Sequence, residues 1–123
     1  MSSSALYTPQ VSIIIRTRDE ERFIDQTLRA IFEQEVDLNF EVIVVDSGST
    51  DGTIDIVRQF ETRLYQIDPE EFTYGRALNY GASLANGEYL INLSAHCIPV
   101  DLRWMRKLLD PLRTTTHVVA TYG

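Results

Sequence analysis

Apolar and polar positions along this chain switch repeatedly between a period of two and a period near 3.6. Val11-Ser12-Ile13-Ile14-Ile15 is an almost unbroken β-branched run, as expected of a strand covered on both faces. Over 20–34 the apolar residues Ile24, Leu28, Ile31 and Phe32 recur at helical spacing, which predicts an amphipathic helix. A second strand follows over Phe40–Asp46. Next comes a helix over about 51–60, with Ile54, Val57 and Phe60 on one face and Ser49, Thr50 or Asp51 as capping candidates. A shorter strand over 62–67 leads through a polar loop to a small-residue helix over 74–86, containing Ala77, Leu78, Gly81, Ala82, Leu84 and Ala85. Gly87 is its expected terminator. A strand over 88–93, a helix over 101–112 with Trp104, Leu108 and Leu112 on one side, and a fifth strand over 117–122 complete the pattern.

Strict strand–helix alternation with short connections predicts an α/β fold: a three-layer, Rossmann-like, mostly parallel sheet with right-handed crossovers. Residues 1–9 read as a flexible tail and 10–123 as one domain. The chain stops directly after a strand with no closing helix, so the expectation is the first half of a larger domain.

Composition narrows the function. The 123 residues are 44% hydrophobic and 24% charged, ordinary for a globular domain. A formal net charge of −7 leaves no broad basic surface, so nucleic acid is not an expected partner. Cys97 is the sole cysteine, which excludes an intramolecular disulfide and a CxxC site and fits a reducing, cytoplasmic location. No apolar run approaches the roughly 18 residues of a membrane span. The leader has neither basic nor apolar segments, so it does not read as a signal peptide.

Four polar clusters follow four strands: Arg16-Thr17-Arg18-Asp19-Glu20, Asp46-Ser47-Gly48-Ser49, Asp68 to Phe72, and Ser94-Ala95-His96. In a parallel sheet all four meet along the carboxyl edge, where such sheets bind ligands. Asp46 can accept hydrogen bonds from a ribose or base, and its small neighbours let backbone N–H groups approach. The dinucleotide and P-loop glycine patterns are absent. A phosphoacceptor receiver domain needs a lysine after its fifth strand, whereas the single lysine, Lys107, lies in the preceding helix. Cys97 reads as a small packing residue, His117 as structural, and Trp104, Phe23, Phe32 and Phe60 as core.

The stretches Ile13-Ile14-Ile15-Arg16-Thr17-Arg18-Asp19-Glu20, Val44-Val45-Asp46-Ser47-Gly48-Ser49-Thr50-Asp51-Gly52-Thr53, 72–81 and 87–99 resemble, in wording, order and spacing, family 2 glycosyltransferases of the GT-A fold. The resemblance covers residues 10 to 122 and the amino-terminal, donor-binding part of that family's domain. It implies that Thr17 and Arg18, with Asp19, Ser47 and Gly48, line a nucleotide pocket and that Asp46 hydrogen-bonds the base. Arg76 and Asn79 are implied diphosphate or sugar contacts, with Ser94 and Ala95 beside them. The donor would be a UDP-, GDP- or dTDP-linked sugar, and the full enzyme would act with inversion on a glycan or lipid-linked acceptor, peripheral to a membrane through that acceptor.

The departure follows strand four, where the family carries Asp-x-Asp for a divalent cation and this chain has Ser94-Ala95-His96. His96 is the expected ligand, better suited to Mn²⁺ than to Mg²⁺, which prefers oxygen; the alternative is direct donation from His96 to a phosphate. The catalytic base is expected beyond the equivalent of Gly123. Phe72-x-Tyr74-Gly75 and Ser94-Ala95-His96 look most like rhamnosyl-transferring members. A non-catalytic nucleotide-binding or interaction module of the same fold is the rival reading, and an exposed sheet edge leaves room for homo-oligomers.

Overall fold

The computed structural model describes residues 9–70, 73–99 and 101–114. Strands and helices alternate through them as β1 (Val11–Thr17), α1 (Ile24–Phe32), β2 (Phe40–Asp46), α2 (Thr53–Val57), β3 (Arg63–Gln66), α3 (Tyr74–Leu84), β4 (Tyr89–Ser94) and α4 (Trp104–Thr114). The strands form one sheet in the order β3-β2-β1-β4, with every pairing parallel. The expected fold class therefore holds. The strand expected over 117–122, with His117, lies outside the described residues.

β1 and β2 take the centre because their β-branched runs tolerate burial on both faces. Val11, Ile13, Ile15, Val42 and Val44 share a core with Ile24, Leu28 and Ile31 of α1, Val57 of α2, and Met105 and Leu109 of α4. On the other face Ile43 and Val45 pack against Ala77 of α3, with Tyr80 and Leu84 beside it. The first two crossovers step one way across the sheet and the third returns past β2 and β1 to reach β4. Crossovers of one hand must change face when they reverse direction, which explains why α3 lies opposite α1 and α2. Its glycine permits a close approach: a Cβ on Gly81 would sit 2.5 Å from Ile14 Cγ2.

Several local expectations are corrected. The segment before Ile24 does not join α1: residues 21–23 form a turn, and Phe23, with φ −122°, lies outside helical geometry. α2 stops at Val57, and Phe60 leaves the helical face to stack on Phe32, with ring centroids 5.9 Å apart. Phe32 is 38% exposed rather than core. In α4 the fully buried pair is Met105 and Leu109, one position on from the expected stripe, while Trp104 and Leu108 are half-buried. Gly87 does not end α3, which is capped by an extended Ala85; instead a Cβ on Gly87 would lie 2.6 Å from the Ser12 nitrogen of β1. Pro9, assigned to the tail, is buried, and Cys97, assigned to packing, is exposed.

Two polar clamps hold the frame away from the carboxyl edge. The Gln34 side chain donates to the Asp101 carbonyl at 2.7 Å and accepts from the Met105 N–H at 2.8 Å, which fixes the start of α4 against the end of α1. At the amino edge of the sheet, Glu41 accepts from the Ser12 hydroxyl at 2.6 Å, the Asn86 N–H at 2.8 Å and Arg63 Nη1 at 2.8 Å.

Candidate functional site

With all strands parallel, the loops after them share the carboxyl edge. The first two are anchored by Asp46, whose side chain is buried where β2 ends. Oδ1 accepts from the Thr17 and Ser49 hydroxyls, each at 2.6 Å. Oδ2 accepts from the Gly48 and Ser49 N–H groups at 3.1 and 2.9 Å. A carboxylate offers about four lone-pair sites, so these four contacts fill it.

A second seam runs between the same loops. Asp19 has a left-handed backbone, φ 52°, a conformation Asp tolerates better than most residues. From there its N–H donates to Ser49 Oγ at 2.8 Å, while its Oδ1 accepts from the Thr50 and Asp51 N–H groups at 2.7 and 3.3 Å. Glu21 Oε2 accepts the Gly52 N–H at 3.1 Å. Gly48 is also left-handed, φ 97°, and a Cβ there would meet Pro69 Cγ at 3.1 Å. The loop after β3 thus abuts the loop after β2.

The fourth loop is held from α1. The buried Thr27 hydroxyl donates to the Ala95 carbonyl at 2.6 Å, and the Cys97 N–H closes a turn onto the Ser94 carbonyl at 3.0 Å. This leaves the His96 side chain 59% exposed, with Nδ1 3.7 Å from Glu20 Oε1 of the first loop. Between the two loops, Arg16 is paired in register with Ser94, and its Nη2 donates to Ser47 Oγ at 3.2 Å.

A parallel sheet whose four strand-end loops are sewn into one edge is the arrangement in which α/β proteins hold nucleotides. Residues 12–123 match the sequence model described as "Glycosyl transferase family 2". The chain belongs to glycosyl transferase family 2. Among curated relatives it is 34% identical over 113 residues to glycosyltransferase AglE of Haloferax volcanii, a match covering 87% of this chain and 36% of that protein. It is 37% identical over 95 residues to validoxylamine A glucosyltransferase of Streptomyces hygroscopicus, covering 73% and 22%. The chain therefore spans little more than a third of these relatives at most.

Solved structures agree on the fold. The mannosyltransferase PcManGT of Pyrobaculum calidifontis, in complex with GDP-Man and Mn²⁺, superposes with a TM-score of 0.74 at 30% identity, covering 90% of this chain and 34% of that one. Glucosyl-3-phosphoglycerate synthase of Mycobacterium tuberculosis, with Mn²⁺, UDP and glucosyl-3-phosphoglycerate, gives 0.72 at 24% identity, covering 90% and 41%.

Against this family frame, the residues expected at the site divide by exposure. Arg18, Asp19, Gly48, Arg76, Asn79 and His96 are exposed. Arg76 and Asn79 lie one turn apart near the start of α3, which issues from the carboxyl edge. Thr17, Asp46, Ser47 and Ala95 are buried, at 0 to 1% exposure, and hold the loops from beneath. Ser94 is half-buried at the end of β4.

The motifs contain Arg16 and Glu20 without assigning either a place in the pocket, Ser49 reads from sequence only as a helix-capping candidate, and Thr27 carries no signal. The acidic pair Asp19-Glu20 was a usable signal for the first loop. Nothing in the helical pattern distinguishes Thr27 from a packing residue.

Among the described residues no group of three or more His, Cys, Asp and Glu side chains is placed to hold a metal ion. His96 offers a donor set of one, its exposed imidazole. A single imidazole would fit a divalent cation only with further ligands from a bound molecule, and its nitrogen would favour Mn²⁺ over Mg²⁺. No helix of the described residues is long and apolar enough to cross a membrane.

Proposed function

We propose that this chain binds a nucleoside diphosphate sugar at the carboxyl edge of its sheet and that the whole protein transfers the sugar, with inversion, to an acceptor hydroxyl. The observation that carries this reading is the joining of the strand-end loops: first to second through Asp19 and Asp46, and first to fourth through the approach of Glu20 to His96. Such joining holds several short loops as one preorganised surface, which lowers the cost of ordering them on binding.

The exposed Arg18 and Arg76 supply positive charge for the diphosphate, with Asn79 a turn further along α3. Because the Asp46 carboxylate is filled by its own loop, base recognition passes to the loop it organises, around the exposed Gly48. In the transfer, a carboxylate outside these 123 residues removes the acceptor's proton, the hydroxyl oxygen attacks the anomeric carbon, and the nucleoside diphosphate leaves. His96 would hold a divalent cation, which when bound neutralises charge on the leaving diphosphate. The Phe72-x-Tyr74-Gly75 and Ser94-Ala95-His96 variants support a dTDP-sugar of the rhamnosyl type as donor, and the family resemblance implies a glycan or lipid-linked molecule as acceptor.

Calorimetric titration of UDP, GDP and dTDP, with and without Mn²⁺, tests the reading. Binding of one nucleotide, tightened by Mn²⁺, is expected. Failure of all three to bind would overturn it in favour of a non-catalytic interaction module.

A further inference from the structure

The loop after β4 departs from the acidic pattern of its family, and the structure surrounds the substituted residue with support. The backbone on one side of His96 is fixed by the Thr27 hydroxyl on the Ala95 carbonyl at 2.6 Å, and on the other by the Cys97 N–H on the Ser94 carbonyl at 3.0 Å. Its ring turns Nδ1 toward Glu20 Oε1 at 3.7 Å. Glu20 is itself anchored, since its N–H donates to Thr53 Oγ1 at 2.8 Å, and its side chain is 22% exposed against 59% for His96.

We propose that Glu20 is a positioning residue for His96: its carboxylate holds the imidazole proton on Nδ1 and so presents the Nε2 lone pair toward the donor site. The distance exceeds a hydrogen bond, so the effect is electrostatic in this geometry. An N–H dipole aimed at a carboxylate is favoured, and a ring lone pair aimed at it is opposed. The nitrogen facing Glu20 therefore keeps the proton and the other becomes the ligand. Carboxylates do the same for metal-bound histidines in general. The inference rests on the proposed role of His96 at the donor diphosphate.

The tautomer can be read without any ligand. Long-range proton–nitrogen correlation spectra of the ¹⁵N-labelled chain, recorded well above the ordinary imidazole range, report which ring nitrogen carries the proton. The chain has two histidines, so His96→Ala assigns the signals. The Nδ1–H form is expected to dominate at His96 and to lose at least half its share in Glu20→Ala, with Glu20→Gln intermediate. The backbone bond from residue 20 to Thr53 survives both substitutions, and unchanged amide spectra check the fold. Equal tautomer shares in wild type and both variants would overturn the proposal.

Mn²⁺ titration of nucleotide affinity then separates this inference from the reading beneath it. Glu20→Ala is expected to weaken the Mn²⁺ effect about 10- to 100-fold. A Mn²⁺ effect that survives His96→Ala would refute the metal role of His96 and leave the tautomer result standing.

Discussion

Thr17 and Asp46 face each other in register at the last pairs of β1 and β2, and the Thr17 hydroxyl donates to Asp46 Oδ1 at 2.6 Å. The contact joins two loops that any ligand at the carboxyl edge must meet, and it does so below the surface. Removing the carboxylate leaves two hydroxyls and two backbone N–H groups without their acceptor. Only the Thr17 hydroxyl is fully buried, and an unsatisfied buried group costs about 1–3 kcal/mol; the partly exposed Gly48 and Ser49 donors can turn to water at less cost. Asp46→Ala should therefore destabilise the fold by about 1–3 kcal/mol in urea denaturation, and Thr17→Val by about 1 kcal/mol. The two effects should be less than additive, because they share a partner. An Asp46→Ala chain with wild-type stability would mean that the loop does not depend on this carboxylate.

Gly81 offers a test of how tightly α3 is seated. Alanine in place of glycine favours a helix by about 1 kcal/mol, yet its Cβ would stand 2.5 Å from Ile14 Cγ2, and Ile14 is fully buried. Overpacking costs about 1–3 kcal/mol and should win, so Gly81→Ala is expected to lower the denaturation midpoint. In an Ile14→Ala background the obstructing methyl is gone. The same substitution should there become neutral or stabilising, and persistent destabilisation would place the strain elsewhere.

Acid stability should depend on Glu41. Burial pushes its carboxyl up, but the Ser12 hydroxyl, the Asn86 N–H and the Arg63 guanidinium together outweigh that and hold it below the usual glutamate range. A folded-state value below the unfolded one means that the stabilisation is fully present above the ordinary glutamate range. It is lost as pH falls through the folded value. Urea midpoints followed downward from neutral pH should fall less steeply in Glu41→Gln than in wild type, although the variant starts lower. Parallel curves would contradict the assignment.

His96 should discriminate between cations. With nitrogen as the protein's ligand, Mn²⁺ is expected to tighten nucleotide binding more than Mg²⁺ in the wild-type chain, and His96→Ala should abolish that preference. Restoring an oxygen ligand with His96→Asp should bring the Mg²⁺ response up toward that of Mn²⁺. Calorimetry with each cation in turn measures all three, and an unaltered Mn²⁺ preference in both variants would refute the role of His96.

The sequence by itself determined the architecture and the family. Period-two runs at β1 and β2 marked strands buried on both faces, helical spacing between them required parallel pairing, and parallel pairing put the four polar clusters on one edge. These are local signals, carried by neighbours in the chain. Other facts depended on partners far apart in sequence: Thr17 on Asp46 across 29 residues, Thr27 on Ala95 across 68, Glu20 on His96. Residue type marked Asp46 as an acceptor, but only the packed loops show that its lone pairs are already taken. Periodicity likewise marked Trp104 and Leu108, while the seating of α4 turned Met105 and Leu109 inward. A motif specifies which groups arrive at a site, and tertiary structure decides which of them remain available, because hydrogen-bond capacity is consumed by whatever neighbour the fold brings within reach.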